Sequence, residues 1–242
     1  MTQSVVGVVC ALASEARHLR PTDATRVALS GMGGAAATES ARSLLEGGAR
    51  ALVSFGMAGG LDPAFIPGTI FLPSEVASAD GAAVIATDQS WREQLGSQLR
   101  LSQSHGRSPL QPVLSGRLVT TATAVGSEAD KALLFKRTGA AAVDMESLAI
   151  AEVARSRGLP FIAIRVIVDG AADSLPRAVT AAADQEGHLQ IGRLLGALAR
   201  TPSELPALIR LGGRYRAANR SLAAVARVAL STRMGLGEGA AG

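Results

Sequence analysis

Short apolar runs alternate with segments of helical periodicity along the first 200 residues. Continuous apolar runs at 5–11, 51–55 and 161–168 predict buried strands, whereas the pattern over 35–46 and 177–199 predicts helices. This alternation predicts an α/β fold, in which a single domain has three layers, with helices on both faces of a central sheet.

Acidic residues follow three of the predicted strands. Glu15 comes after the first strand, Glu146 after the apolar run 140–143, and Asp169 after the run 161–168. Such acids can simply cap a following helix, because carboxylates are favoured at a helix N-terminus. Ligands of α/β sheets gather at the carboxyl ends of strands, so the three acids can also share one cleft. For Asp144, a helix cap and a ligand contact remain equally good interpretations.

Two glycine-rich segments follow neighbouring strands, at 31–34 and 56–60. Gly31, Gly33 and Ala36 fit the dinucleotide fingerprint, but the next strand ends in the second glycine segment and offers no acid for a ribose. A dinucleotide oxidoreductase is therefore a distant alternative. Both segments allow a ligand to approach backbone amides closely, with Gly59 the candidate contact in the second. Tight turns that serve packing are the other interpretation.

Composition excludes several classes of site. Cys10 is the only cysteine, and the three histidines have no metal-ligand spacing, so we expect no metal site and no disulfide framework. The chain has neither a P-loop nor a G-x-S-x-G motif. The net charge of +4 comes from residues 200–242, which carry seven arginines and two glutamates, so we expect no nucleic-acid-binding core. Three carboxylates without metal ligands suit chemistry in which a cation develops, such as cleavage of a glycosidic bond.

Five motifs then carry a family resemblance. They are V-G-V-V-C-A-L-A-S-E at 6–15, S-G-M-G at 30–33, G-M-A-G-G at 56–60, V-D-M-E-S at 143–147 and R-V-I-V-D at 165–169. In order and spacing they resemble the nucleoside phosphorylase and nucleosidase superfamily. V-D-M-E-S with the arginine-rich extension most resembles the hopanoid-biosynthesis phosphorylase-like proteins, the adenosylhopane nucleosidases. The resemblance implies a central mixed, largely parallel sheet.

The resemblance also implies roles for individual residues. Glu15 matches the acid that activates the attacking water, and Asp169 matches the acid that delivers a proton toward purine N7. Met145 and Glu146 match the pair that packs under the ribose and binds its hydroxyls. Further substrate contacts are implied for Gly59, Arg165 and the base-binding segment Thr123, Ala124 and Val125. Arg165 lies four residues before Asp169, so strand alternation predicts the same side of the sheet for both. It either orients carboxylates or binds an anion, or it is a buried partner for an acid.

The implied activity is cleavage of the N-glycosidic bond of a 5′-substituted adenosine, with adenosylhopane the favoured substrate. Hydrolysis is favoured because Glu15 is present and the phosphate-binding arginine of the hexameric phosphorylases, near Ser54, is not. The alternatives are phosphorolysis, with phosphate as co-substrate, and a methylthioadenosine/S-adenosylhomocysteine nucleosidase. A non-catalytic nucleoside- or lipid-binding protein is a different class of function. No cofactor is expected, and the family resemblance implies a homo-oligomer.

The C-terminal residues form a separate unit in this interpretation, with a nucleosidase-like domain over 1–200 and a basic amphipathic extension over 201–242. Apolar residues recur there at helical spacing and arginines follow them. The extension either packs as helices on its own domain or a neighbouring subunit, or contacts an anionic membrane surface. The N-terminal residues lack a signal-peptide pattern and no apolar run is long enough to span a membrane, so we expect a cytoplasmic protein, with the inner face of the membrane as a candidate site of contact.

Overall fold

A computed structural model describes residues 5–102, 111–174 and 205–231. Strands and helices alternate in these residues as the apolar pattern predicts. The strands are β1 Val5–Cys10, β2 Thr25–Leu29, β3 Ala49–Gly60, β4 Ile70–Phe71, β5 Glu75–Ser78, β6 Val84–Ala86, β7 Arg117–Thr120, β8 Ala142–Asp144 and β9 Phe161–Asp169. The helices are α1 Ala13–Ala16, α2 Gly34–Glu46, α3 Gln89–Leu101, α4 Glu128–Thr138, α5 Ser147–Ser156 and α6 Leu205–Ser231. The helix predicted over 177–199 lies outside the described residues.

The nine described strands form one mixed, largely parallel sheet, as predicted. Its order is β2-β1-β3-β8-β7-β5-β6, and β9 pairs with β3 and β4. β3 is the central strand, with β1 and β9 parallel to it and β8 antiparallel to its last residues. The two parallel parts of the sheet therefore run in opposite directions and meet at the end of β3.

Side chains of the central strands alternate between two apolar clusters, one on each face of the sheet. On one face, Val6, Val8 and Cys10 of β1 share a buried cluster with residues of α3 and α6. On the other face, Val9 packs with residues of α2 and α5. This period of two is what a strand buried on both faces produces. The arrangement confirms the predicted three layers.

The second glycine-rich segment is not a turn. β3 continues through Met57 to Gly60, and Gly59 and Gly60 pair with Val143 and Ala142 of β8. Sequence reasoning ended this strand at residue 55, because glycines usually weaken or end a strand. The extension brings the end of β3 alongside β8, where the acids that follow the strands lie.

The basic C-terminal segment docks on its own domain through α6. Ala218, Leu222, Val225, Ala226 and Ala229 are at most 1% exposed and belong to the same core cluster as β1, β3 and β9. His18 and Asn219 are joined by a hydrogen bond of 2.7 Å between ring nitrogen and side-chain oxygen. The apolar side of this helix is therefore buried against the sheet, which favours the docking interpretation.

Arginines occupy the outer side of α6: Arg210, Arg216, Arg220 and Arg227 are exposed. In the described part of the chain, no helix combines the length and apolar character that crossing a bilayer requires. The division of the chain near residue 200 stays a prediction, because it falls within residues that the structure does not describe.

Candidate active site

One cavity of about 170 Å³ lies where the ends of β1, β3, β8 and β9 converge. All three predicted acids, Glu15, Glu146 and Asp169, line it. Its other described lining residues are Ala11, Leu12, Met32, Met57, Ala58, Gly59, Thr121, Ala124, Val125, Val143, Asp144, Met145 and Val168. Sequence reasoning assumed that these strands were parallel neighbours. β8 instead runs antiparallel to the end of β3, and the acids still meet because β3 extends beside β8.

Glu15 sits in the first turn of the short helix α1 and is 3% exposed. Its Oε2 accepts a hydrogen bond of 3.0 Å from the backbone N–H of Leu12, and its Oε1 accepts one of 2.8 Å from Met57 N–H. Burial raises the pKa of Glu15, and nearby Arg165 and these backbone donors oppose that rise. A buried carboxylate with raised proton affinity and a fixed position is suited to accept a proton.

Glu146 lies immediately before α5 and is held by the first glycine-rich segment. Its Oε1 accepts a hydrogen bond of 2.9 Å from the backbone N–H of Gly33, which has a positive φ of 96°. The positive φ favours glycine at this position, so the segment is shaped to present a donor to Glu146. Burial raises the pKa of Glu146, the negative charge of Asp144 raises it further, and Arg165 opposes both.

Asp169 ends β9 and is paired with a lysine from α4. Lys131 Nζ donates to Asp169 Oδ2 and is fully buried. Burial raises the pKa of Asp169, while the charge and the hydrogen bond of Lys131 lower it. A raised carboxyl pKa is what a proton donor near neutral pH requires.

Arg165 lies beneath the cavity rather than in its lining. Its Nε donates to Asp144 Oδ2 at 2.8 Å, and its Nη2 donates to Ser54 Oγ at 2.6 Å and to Ser147 Oγ at 2.9 Å. Burial alone would lower the pKa of Arg165, but the carboxylates Asp144, Glu146 and Glu15 outweigh it and raise the pKa. Of the sequence-based alternatives, the structure supports the buried partner that orients acids.

Asp144 is both a helix cap and part of the cavity wall. Its carboxylate accepts from the backbone N–H of Ser147, at the start of α5, at 3.2 Å. The hydroxyl of Thr120 donates to Asp144 Oδ1 at 2.7 Å, and Arg165 Nε donates to Asp144 Oδ2. Because its oxygens already have these partners, Asp144 is a structural support for the site.

The glycine at position 56 leaves room for two charged groups. A Cβ atom there would lie 2.6 Å from Glu15 Oε1 and 2.8 Å from Arg165 Nη1, closer than real Cβ atoms approach. The glycine-rich segments were interpreted as places where a ligand meets backbone amides. In the structure, Gly33 and Gly56 accommodate the site's own charged side chains.

A register shift separates Arg165 from Asp169. Gly56 aligns with Arg165 and Ala58 with Ile167, but Gly59 aligns with Asp169, so one extra residue of β9 interrupts the alternation. Positions 56 and 59 of β3 face opposite sides of the sheet, because they are three residues apart. Their aligned partners, Arg165 and Asp169, therefore also face opposite sides. The prediction that Arg165 and Asp169 share one side of the sheet is therefore wrong.

The structure places most, but not all, of the predicted site residues at the cavity. Glu15, Asp169, Met145, Glu146, Gly59, Ala124 and Val125 line it. Thr123 does not line it. This residue lies in the loop after β7 and is exposed, and its carbonyl accepts a hydrogen bond from Thr121 Oγ1. Arg165 is also not a lining residue, because its guanidinium is taken up by Asp144, Ser54 and Ser147.

Several residues of the site were not anticipated. Lys131 looked like one of the surface lysines of an amphipathic helix, and Met32 stood within the glycine-rich segment without a signal of its own. Ser54 is the one polar residue in the apolar run 51–55, which is a signal that could have been used. Among the described residues, no group of three or more histidine, cysteine, aspartate or glutamate side chains is arranged to hold a metal ion.

Glu146→Gln is expected to stabilise the protein at pH 8 relative to the wild type. A carboxyl whose pKa is raised by folding contributes stability below its unfolded pKa, near 4.5, and loses it as pH rises through the folded pKa. Glutamine keeps an oxygen for the Gly33 N–H and removes the charge beside Asp144. The measurement is the urea midpoint of both proteins between pH 4 and pH 8, with exposed Glu128→Gln as control. The difference in urea midpoint between Glu146→Gln and the wild type should shrink toward pH 4. A difference that is equal at all pH values would contradict this prediction.

The site's sequence and fold can be compared with known proteins. Residues 23–200 match the Phosphorylase superfamily. No curated protein sequence gives a match. Two solved structures from Helicobacter pylori superpose with a TM-score of 0.67. One is a 5′-methylthioadenosine/S-adenosyl homocysteine nucleosidase with a bound pyrrolopyrimidine compound, 16% identical over 96% of this chain and 98% of that chain. The other is futalosine hydrolase, 18% identical over 97% of both chains.

A third structure, the methylthioadenosine/S-adenosylhomocysteine nucleosidase of Colwellia psychrerythraea in complex with adenine, is 23% identical and has a TM-score of 0.60. It covers 70% of this chain and 84% of its own. At these identities the likeness to solved structures shows the fold. The family match spans most of the chain and includes three of the four acids that line the cavity, Asp144, Glu146 and Asp169. The chain therefore belongs to the Phosphorylase superfamily, as an enzyme of the nucleosidase and nucleoside phosphorylase type.

Proposed function

We propose that this protein hydrolyses the N-glycosidic bond of a 5′-substituted adenosine and releases adenine. The observation that carries the proposal is the convergence of three buried acids, Glu15, Glu146 and Asp169, on one cavity. Burial raises the pKa of each of these carboxyls above its ordinary value, and such perturbed acids in one cavity are typical of a catalytic site. The structural neighbours include nucleosidases named for adenosine derivatives, one of them bound to adenine.

In the proposed reaction, Glu15 accepts a proton from a water molecule whose oxygen bonds to C1′ of the ribose. The C1′–N9 bond breaks and its electron pair passes to the purine. Asp169 delivers its proton to N7, so that neutral adenine leaves. Glu146 binds the ribose hydroxyls and its negative charge lies near the ribosyl cation that develops as the bond breaks. The products are adenine and the 5′-substituted ribose.

Three features support hydrolysis rather than phosphorolysis. Glu15, held by two backbone N–H groups, is placed to activate water. The cavity wall also carries four acidic side chains, Glu15, Asp144, Glu146 and Asp169, and the ionised ones would repel a phosphate dianion. The guanidinium of Arg165 is already bound by Asp144 and by the hydroxyls of Ser54 and Ser147. We therefore favour hydrolysis, and phosphorolysis is the alternative.

We propose adenosylhopane as the substrate, which would give ribosylhopane. The sequence resemblance of V-D-M-E-S and the arginine-rich extension supports this choice. The apolar cavity lining, which includes Leu12, Met32, Val125 and Val168, is compatible with an apolar 5′ substituent. A methylthioadenosine/S-adenosylhomocysteine nucleosidase is the alternative within the same chemistry. A non-catalytic binding protein would bind these nucleosides without releasing adenine.

Contact with an anionic membrane surface also stays part of the proposal. Because the apolar side of α6 is buried in the domain, this contact would rest on the exposed Arg210, Arg216, Arg220 and Arg227. Arginines near an anionic surface attract it electrostatically, at about 1 kcal/mol each. A homo-oligomer also remains a prediction.

The test is release of adenine from adenosylhopane, methylthioadenosine and S-adenosylhomocysteine, each with and without phosphate. We expect adenine release that does not depend on phosphate, with adenosylhopane giving the highest kcat/KM. Mass spectrometry of the sugar product separates a free ribosyl product from a ribose 1-phosphate. Phosphate-dependent turnover would replace hydrolysis with phosphorolysis. Binding without adenine release from any substrate would leave the non-catalytic alternative.

A further inference from the structure

Lys131 is a fully buried lysine in the middle of α4. Its Nζ donates to Asp169 Oδ2, to the carbonyl of Gly170 at 2.8 Å and to the carbonyl of Asp173 at 2.9 Å. A lysine ammonium has three N–H donors, so all three are used. Burial of such a group is costly unless it is paired and hydrogen-bonded in this way.

We propose that Lys131 is the positioning residue for Asp169, holding its carboxyl group at the cavity and stabilising its ionised form. The inference rests on the proposed function, in which Asp169 gives its proton to the purine. Once the proton has left, the new carboxylate stands beside the Lys131 ammonium, which stabilises it. Lys131 binds Oδ2, and the hydrogen bonds within the described residues leave Oδ1 for the substrate.

Among the charged neighbours of Asp169, Lys131 has the largest effect on the pKa of its carboxyl. Burial raises the pKa of the Asp169 carboxyl, and Lys131 opposes it through both charge and hydrogen bond. Asp173 on the following turn raises the pKa of Asp169, and the charge of Arg214 of α6 lowers it. Arg214 is ion-paired with Asp173, so these two charges largely compensate each other. Lys131 is then the cation that mainly opposes the rise in the Asp169 pKa caused by burial.

The same contacts also tie three parts of the chain together. Lys131 joins α4 to the turn after β9, where Gly170 N–H donates to Asp173 Oδ2 at 2.9 Å, and Arg214 joins this turn to α6. A lysine with only this structural role would affect stability and leave the proton affinity of Asp169 unchanged. A positioning residue changes that proton affinity directly, which provides the test.

The experiment is a carboxyl ¹³C NMR titration of Asp169 in the full-length wild type and in Lys131→Met, with the resonance assigned by Asp169→Asn. An opposite charge in contact lowers a carboxyl pKa by about 1–3 pH units, so its removal should raise the pKa of Asp169 by that amount. Lys136→Met, an exposed lysine of the same helix, is the control and should leave the resonance unchanged. Lys131→Arg, which keeps the charge, should restore most of the wild-type value.

Adenine release supplies the second measurement. If Asp169 donates its proton, the alkaline limb of the profile of kcat against pH should shift to higher pH in Lys131→Met, by the same amount as the pKa measured by NMR. Should Lys131→Met fail to fold, Lys131→Gln keeps an amide donor for the carbonyls and removes the charge. An unchanged Asp169 pKa in the folded variant overturns this inference, whatever the activity. Absence of adenine release from the wild type overturns the proposed function, while the titration still tests Lys131.

Discussion

Asp169→Asn should lower kcat for adenine release by ~10²–10⁴-fold, the usual contribution of a positioned proton donor. Asparagine has nearly the same shape and still fits beside Lys131, but it has no proton to give to the leaving purine. Because the loss occurs in the transition state, kcat and kcat/KM should fall together, with KM changed little. The measurement is steady-state adenine release from methylthioadenosine or another soluble adenosine derivative that the wild type cleaves.

The matched control is Asp80→Asn, which removes a carboxylate from an exposed turn far from the chemistry in sequence. It should retain the wild-type rate.

The pH profile adds a second criterion. Burial raises the pKa of Asp169, and a proton donor must be protonated, so the wild-type rate should fall as pH rises through that pKa. Glu15 must be ionised to accept a proton, so the rate should also fall as pH drops through its raised pKa. Asp169→Asn should lose the alkaline limb and keep the acid one. A variant that retained the wild-type rate would refute the role of Asp169.

The strand order of the site could be predicted only in part. The apolar runs that became β1 and β9 stand out in the sequence, because a strand buried on both faces is largely apolar, with Arg165 the exception in β9. The last residues of β3 were missed because glycine-rich sequence is typical of turns. Their strand geometry is fixed by pairing with β8, a contact between residues 59 and 143 that local pattern does not encode. The antiparallel direction of β8 against β3 follows from this same extension.

The acids were found from their positions in the sequence, whereas Lys131, the partner of Asp169, was not. An acid directly after an apolar strand is visible in a sequence, and Glu15, Glu146 and Asp169 all have this signature. Lys131 has none, since its neighbours in α4 are those of an ordinary amphipathic helix and only the tertiary fold buries it. The extra residue of β9 near Val168 was also invisible, because a bulge is defined by the partner strand. Sequence reasoning thus identified the acids that the chemistry needs and Arg165 as a candidate partner for them, but it missed Lys131.

Arg165 is the residue whose loss should cost the most stability. Arg165→Met leaves Asp144 buried without its cation and removes the positive charge that opposes the burial of Glu15 and Glu146. Breaking a buried ion pair by removing one partner typically costs about 3–5 kcal/mol. The hydroxyls of Ser54 and Ser147 also lose their donor. The measurement is the free energy of unfolding in urea at pH 8, with exposed Arg155→Met on α5 as the control that should change little.

The pH dependence distinguishes an electrostatic role of Arg165 from simple packing. Without the arginine, the buried carboxyls bind protons more readily in the folded state than in the unfolded chain. Stability of Arg165→Met should therefore recover relative to the wild type as pH falls from 8 to 5, because protonated carboxyls need no cation. A lost packing contact would give the same deficit at every pH. Arg165→Lys keeps the charge but cannot reach Asp144, Ser54 and Ser147 with one planar group, so it should lie between the two proteins. A loss of stability in Arg165→Met no larger than that in Arg155→Met would contradict the role of Arg165 as the cation that stabilises these buried acids.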